Sequence, residues 1–209
     1  MAYSSKIPYI RKDYLHMLRD LVVENRSFRS FDEKYPISRE LLLEWVDNAR
    51  LVPSAVNAQP LKYRLVDTRE GVEKVLPHTA WAGALKNIKL PPEGHHPAAF
   101  VVICHDTTVR ENPGSSATDV GIAAMTLLLS ATEAGYGGCM LGAFDRDRVG
   151  EVLRIPEKYV PVLLVALGKP DELVFLAEPK DKDNVIYYRD DHNLHFVPKR
   201  KLEDILIEG

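Results

Sequence analysis

Apolar residues recur along the chain with two different periods. From Tyr14 onward, Leu15, Leu18, Leu21 and Val22 fall at helical spacing and predict a first helix that ends near Asn25. Ser38 is a good N-cap for a second helix carrying Leu41, Leu42, Trp45, Val46 and Ala49. The Val52-Pro53 pair stops it, because the residue before proline is pushed out of the helical region. Leu61 to Asp67 alternates apolar and polar positions, the signature of a strand with two unlike faces. Glu70 to Leu76 is expected as a short helix, and Pro91-Pro-Glu-Gly-His-His-Pro97 as a loop. Ala98 to His105 is an almost unbroken apolar run, fit for a central strand buried on both faces.

In the second half, Thr118 or Asp119 is expected to cap a helix over Val120 to Ala134 that is apolar on nearly every side. In a chain of this size such a helix favours burial at a subunit interface, which predicts a homodimer, with Met125 as a packing residue. Gly135 to Gly142 contains G-x-G but follows a helix, so it fails as a dinucleotide fingerprint. Its glycines suggest instead a backbone that passes close to something flat. Asp145 is expected to cap a helix over Arg146 to Arg154, and Tyr159 to Gly168 to form a second buried strand closed by a Gly168-Lys-Pro170 turn. The tail carries Tyr187, Tyr188 and Arg189, then Pro198-Lys-Arg-Lys201, and ends in Leu202, Ile205 and Leu206, which are expected to dock it.

Bulk properties narrow the classes. The 209 residues are enough for one sizeable core and are read as a single domain over 1–209. A formal charge of -3 and a pI near 6.2 give no electrostatic case for nucleic acid or an anionic membrane as partner. With no apolar run of signal or spanning length, the chain is read as cytoplasmic. Cys104 and Cys139 stand far apart in apolar surroundings and read as buried free thiols.

Two stretches carry candidate chemistry. Asn25-Arg-Ser-Phe-Arg-Ser-Phe31 sets two fixed cations, Arg26 and Arg29, beside two small hydroxyls, Ser27 and Ser30. Taken alone, it suits either an anionic ligand or a solvated surface. Pro53-Ser-Ala-Val-Asn-Ala-Gln-Pro60 either displays amides toward a ligand or is an ordinary proline-bounded turn. Adjacent His95 and His96 lack metal-site spacing. Trp81, flanked by small residues, either gates a substrate or packs in the core. Nothing matches a P-loop, a Ser-His-Asp order or a zinc-ligand set, so no catalytic side chain is named.

In this order, R-S-F-R-S-F, P-S-A-V-N-A-Q-P, T-D-V-G-I-A-A-M-T-L-L-L-S-A-T-E-A-G-Y-G-G-C-M-L-G-A-F-D and V-A-L-G-K-P resemble the FMN-dependent nitroreductase family, over about Asn25 to Leu206. The resemblance implies an α+β fold, a mainly antiparallel central sheet flanked by helices, in an interlocked homodimer with exchanged C-terminal segments and FMN at the interface. It implies that Arg26 and Ser27 hold the phosphate or ribityl chain and that Arg29 faces the pyrimidine edge. A guanidinium there would stabilise the negative charge that two-electron reduction places near N1 and O2. Many relatives have a further arginine where this chain has Asn25. Ser54, Ala55, Val56 and Asn57 would come from the other subunit, and Leu141, Gly142 and Ala143 would run along the central ring. Some members carry glutamate at the position of Gly142, so only a backbone role survives here. Lys199 and Arg200 would grip the phosphate, with Arg189 as a competing candidate. The activity implied is ping-pong transfer of electrons from NADH or NADPH to a nitroaromatic, quinone or similar small acceptor. Narrower alternatives are reductive dehalogenation, enone reduction, flavin breakdown, or flavin binding without turnover.

Overall fold

A computed structural model of the chain describes residues 18–85, 88–181 and 184–207. The predicted first helix is seen from Leu18, as α1 (Leu18–Glu24), while Tyr14 and Leu15 lie outside the described residues. After β1 (Phe31–Asp32) comes α2 (Arg39–Arg50), capped by Ser38, whose hydroxyl accepts the Leu41 N–H at 3.2 Å. Then follow β2 (Leu61–Val66), α3 (Arg69–Val75) and β3 (Ala99–Asp106). The second half runs α4 (Ala117–Glu133), β4 (Gly137–Leu141), α5 (Arg146–Val152) and β5 (Tyr159–Pro170). The tail adds β6 (Val174–Ala177), β7 (Tyr188–Arg189) and β8 (His195–Pro198).

The result is an α+β fold. Strands β1, β5, β3 and β2 lie side by side, β4 also pairs with β5, and every pairing in this sheet is antiparallel. Alternation along β3 explains its unbroken apolar run. Ala99, Val101 and Ile103 join Leu42 and Trp45 of α2 and Leu127 of α4 on one face, while Phe100, Val102 and Cys104 join Val72, Val75 and Val149 on the other. A strand with helices on both sides has no polar face to offer. The tail forms a separate small sheet in which β8 pairs parallel with β6 and antiparallel with β7.

Three local departures from the sequence reading have physical causes. The turn expected at Gly168-Lys-Pro170 is instead the end of β5, because Gly168 pairs with Gly137 while Lys169 and Pro170 pair with Asp32 and Phe31. Helix α4 begins at Ala117, ahead of both expected caps. Asp119 lies inside its first turn, where its carboxylate accepts the Ser54 hydroxyl at 2.5 Å and the Ala55 N–H at 3.3 Å. The closing residues are not docked on this chain: Leu202, Ile205 and Leu206 are all more than half exposed.

The glycine run does pass close to something flat, and it is the Phe28 ring. A Cβ on Gly137 would lie 2.6 Å from that ring, and one on Gly138 only 2.2 Å from the Ala166 carbonyl oxygen. Backbone cannot retreat as a side-chain tip can. Gly138→Ala is therefore expected to destabilise the fold by about 3 kcal/mol or more, read as a lower urea midpoint at unchanged slope.

Candidate functional site

The segment leaving α1 is laid against β4. Ser27 forms a parallel bridge with Gly138, and the Phe28 N–H donates to the Gly138 carbonyl at 3.0 Å. This fixes Arg26, Ser27 and Arg29 along one wall of an open cleft of about 380 Å³. Met125 and Leu128 of α4 and Met140 of β4 supply an apolar side, and the tail closes it with Tyr187, Val197 and Lys199. Three cations from two distant segments thus face an apolar surface.

The arginines differ in their engagement. Arg26 donates from Nη2 to the Val22 carbonyl at 2.5 Å, and burial lowers its pKa. Arg29, 9% exposed, donates from Nη1 to the Ser27 carbonyl at 3.1 Å, and its guanidinium lies 5.1 Å above the centre of the Tyr187 ring. The Nε atoms of both are buried without a hydrogen-bond partner, a costly state for charged donors. Asn25 is also buried and donates to the Met125 sulfur at 3.5 Å, so Met125 belongs to the site wall as well as to the packing.

Behind this wall lies a buried polar cluster. Glu172 accepts the Arg29 main-chain N–H on one oxygen and pairs on the other with Arg189 Nη2 at 2.5 Å; both side chains are only 6% exposed. Arg189 also donates to Asn193 at 2.8 Å, so its guanidinium does not line the cleft. Burial raises the Glu172 pKa, opposed by the Arg29 main chain and the Arg189 charge. His195 is fully buried, with Nδ1 3.9 Å from Glu172 and neither ring nitrogen hydrogen-bonded. Burial, then Arg29 and Arg189, push its pKa down to about 4. Cys139 sits close by, its pKa raised by burial against the opposing pull of Arg29 and Ser27, so it is a poor nucleophile.

The remaining expected residues fall elsewhere. Lys199 lines the cleft, whereas Arg200 is exposed and does not. Leu141 is buried at the end of β4, Gly142 and Ala143 are exposed just beyond it, and a Cβ on Gly142 would meet nothing within 4 Å. The Ala143 carbonyl accepts the Ala80 N–H at 2.9 Å, which brings Trp81 beside this edge with its indole N–H on the Thr79 hydroxyl at 2.7 Å. The same segment reaches the cleft, as the Ala84 N–H donates to the Tyr187 hydroxyl at 3.3 Å. Residues 54–57 lie apart from the cleft, clipped by Asp119 and by Arg110, which donates to the Ala55 carbonyl at 3.0 Å. Val56 and Asn57 have positive φ (50° and 54°), and Val56 is 90% exposed. His95 pairs with Asp171 and His96 with Glu33 at 3.4 Å. Among the described residues no cluster of His, Cys, Asp and Glu could hold a metal, and no helix is long and apolar enough to cross a membrane.

Sequence reading missed Glu172, His195 and the part played by Tyr187. Glu172 meets Arg29 across 143 positions, and no spacing rule connects residues so far apart.

The chain is similar to known proteins in sequence and in fold. The family model described as "Nitroreductase family" matches residues 22–169. YdgI of Bacillus subtilis, inferred to be an NAD(P)H nitroreductase, is 28% identical over 181 residues, covering 72% of this chain and 87% of its own length. An inferred nitroreductase of Exiguobacterium sibiricum, crystallised with FMN, superposes with a TM-score of 0.63 at 21% identity, over 76% of this chain and 90% of its own. A nitroreductase family protein of Streptococcus pneumoniae reaches 0.66 at 18% identity, over 92% and 100%.

The buried histidine has a consequence for stability. Its folded-state pKa is depressed from 6.5 to about 4, so between those values the unfolded chain binds a proton that the folded one refuses. Its contribution is complete above pH 6.5 and is lost as pH falls toward 4, by up to about 3 kcal/mol. Urea midpoints measured across this range should fall less steeply for His195→Phe than for the wild type.

Proposed function

The chain belongs to the nitroreductase family and is an NAD(P)H nitroreductase-family oxidoreductase, and on that premise we propose that the cleft beside Arg29 holds FMN. The observation that carries this is the convergence of Arg26, Ser27, Arg29 and Lys199 on one apolar-walled cleft. A planar ligand with a phosphate needs just such a combination of apolar surface and fixed cations. The residues present fit it, since the Nε donors of Arg26 and Arg29 are buried and without partners. When bound, FMN supplies the redox chemistry, accepting hydride from NADH or NADPH and returning electrons to a nitroaromatic, quinone or similar acceptor in a ping-pong cycle.

The protein's own part is to bind and orient. Arg26, Ser27 and Lys199 are assigned to the phosphate and ribityl end, with Arg200 next to them in sequence. Arg29, held over Tyr187, is assigned to the pyrimidine edge, where its charge favours the more negative form of the ligand. Leu141, Gly142 and Ala143, next to the Met140 wall, are assigned to the central ring, and Trp81 to the acceptor side. Residues Ser54 to Asn57 do not line this cleft in their own chain, and we assign them to the cleft of a second copy. Support for a homodimer comes from exposed apolar groups on several elements: Ile122 on α4, Val56 in the loop, and Leu202, Ile205 and Leu206 in the tail. Exchange of the C-terminal segment would cover the last three.

Two measurements test this. Protein mixed with FMN and passed through a sizing column with light-scattering detection should carry flavin absorbance at twice the 23.6 kDa chain mass; a colourless peak would sink the proposal. Arg29→Ala should lower the midpoint potential of the bound flavin by about 30–60 mV, the equivalent of one charged hydrogen bond over two electrons. An unchanged potential would remove the role given to Arg29.

A further inference from the structure

We infer that Glu172 is a positioning residue for Arg29: its carboxylate holds the Arg29 main chain and the Arg189 guanidinium, and so leaves the Arg29 guanidinium to the cleft. A carboxylate this close to an arginine ordinarily pairs with its guanidinium, and a charge paired in that way is largely spent. Here both carboxylate oxygens are taken by other donors. One accepts the Arg29 main-chain N–H, the neighbouring Ser30 N–H also donates to this carboxylate, and the other oxygen receives Arg189 at 2.5 Å. The Arg29 guanidinium turns instead to the Ser27 carbonyl and the Tyr187 ring, with Nε unpartnered.

Burial makes the arrangement rigid. With Glu172 and Arg189 each 6% exposed, neither can exchange its partner for water without a large desolvation cost. His195 closes the cluster on the far side, 3.9 Å from Glu172 and 5.5 Å from the Tyr187 ring centre. Buried and facing both arginines, it stays neutral near pH 7 and adds no charge to the cluster. Arg189 accordingly acts one layer behind the ligand by anchoring Glu172. The role of Glu172 toward FMN rests on the functional reading above.

The test uses the full-length protein and two readouts. Amide hydrogen exchange without FMN reports whether Glu172 holds the Arg29 and Ser30 N–H groups, and FMN titration reports the consequence. Glu172→Ala should speed exchange at both amides and weaken FMN binding about tenfold, the worth of one such bond. Glu172→Gln, which keeps an acceptor for the amides, should restore most of both. In an Arg29→Ala background the same Glu172→Ala change should alter FMN affinity less than twofold, because a residue that works through Arg29 has nothing left to position. Equal losses in both backgrounds, or unchanged exchange, overturn the inference. Should Glu172→Ala not fold, Glu172→Asp reads the same two quantities, and loss of one without the other likewise overturns it. Wild-type protein that takes up no FMN overturns the functional reading, and this role toward FMN with it. Additive losses with wild-type binding intact overturn this inference alone.

Discussion

The approach of the Ser27-Phe28 backbone to β4 is the constraint on which the cleft depends. Phe28 can lay its ring over Gly137 only because that glycine carries no Cβ, while Gly138, whose Cβ would meet the Ala166 carbonyl oxygen, accepts the Phe28 N–H on its own carbonyl. That contact sets where Arg26 and Arg29 leave the chain. It also places Cys139 and Met140 next to them, so one strand edge supplies the support for the cations and part of the apolar wall. β5 ties the arrangement to the core, since the same strand that pairs with β4 pairs with the fully buried β3.

The tail completes what β4 begins. Lys199 and Tyr187 reach the cleft from the small sheet of β6, β7 and β8, and that sheet is joined to the body through Glu172 and the main chain of Arg29. Glu172 and Arg189 meet out of water beside the Arg29 main chain, where each carboxylate oxygen must find a partner. Among the partners Glu172 finds are the main-chain N–H groups of Arg29 and Ser30, which cannot swing away. Such a junction resists small displacements better than a pair of long surface side chains does.

Much of the fold was legible because its signals are local. Ser38 capping α2, the alternation in β2 and the apolar run of β3 each act within a few residues and appear where expected. What was not legible depends on distant partners. Gly168-Lys-Pro170 has the composition of a turn, yet ladder partners from β4 and β1 hold it extended. Asp119 has the composition of a helix cap, yet Ser54 and Ala55 claim its carboxylate. In the site, the cluster around Arg29 was visible as a run of charge and hydroxyl groups, and the glycines as a mark of close approach. Glu172 and His195 carried no such mark, because their importance comes from burial, which neither residue type suggests.

Asp119 also bears on how the 54–57 loop meets anything that docks on it. Val56 and Asn57 sit in the left-handed region, which a β-branched residue adopts only under strain. In a single folded chain two hydrogen bonds to Asp119 and one from Arg110 anchor the adjoining Ser54 and Ala55, and the Asn57 N–H donates to the Ser54 carbonyl at 2.8 Å. The loop's shape is thus fixed before any encounter, and its loss of conformational entropy falls on folding rather than on association. A surface preorganised in this way offers a partner a rigid template.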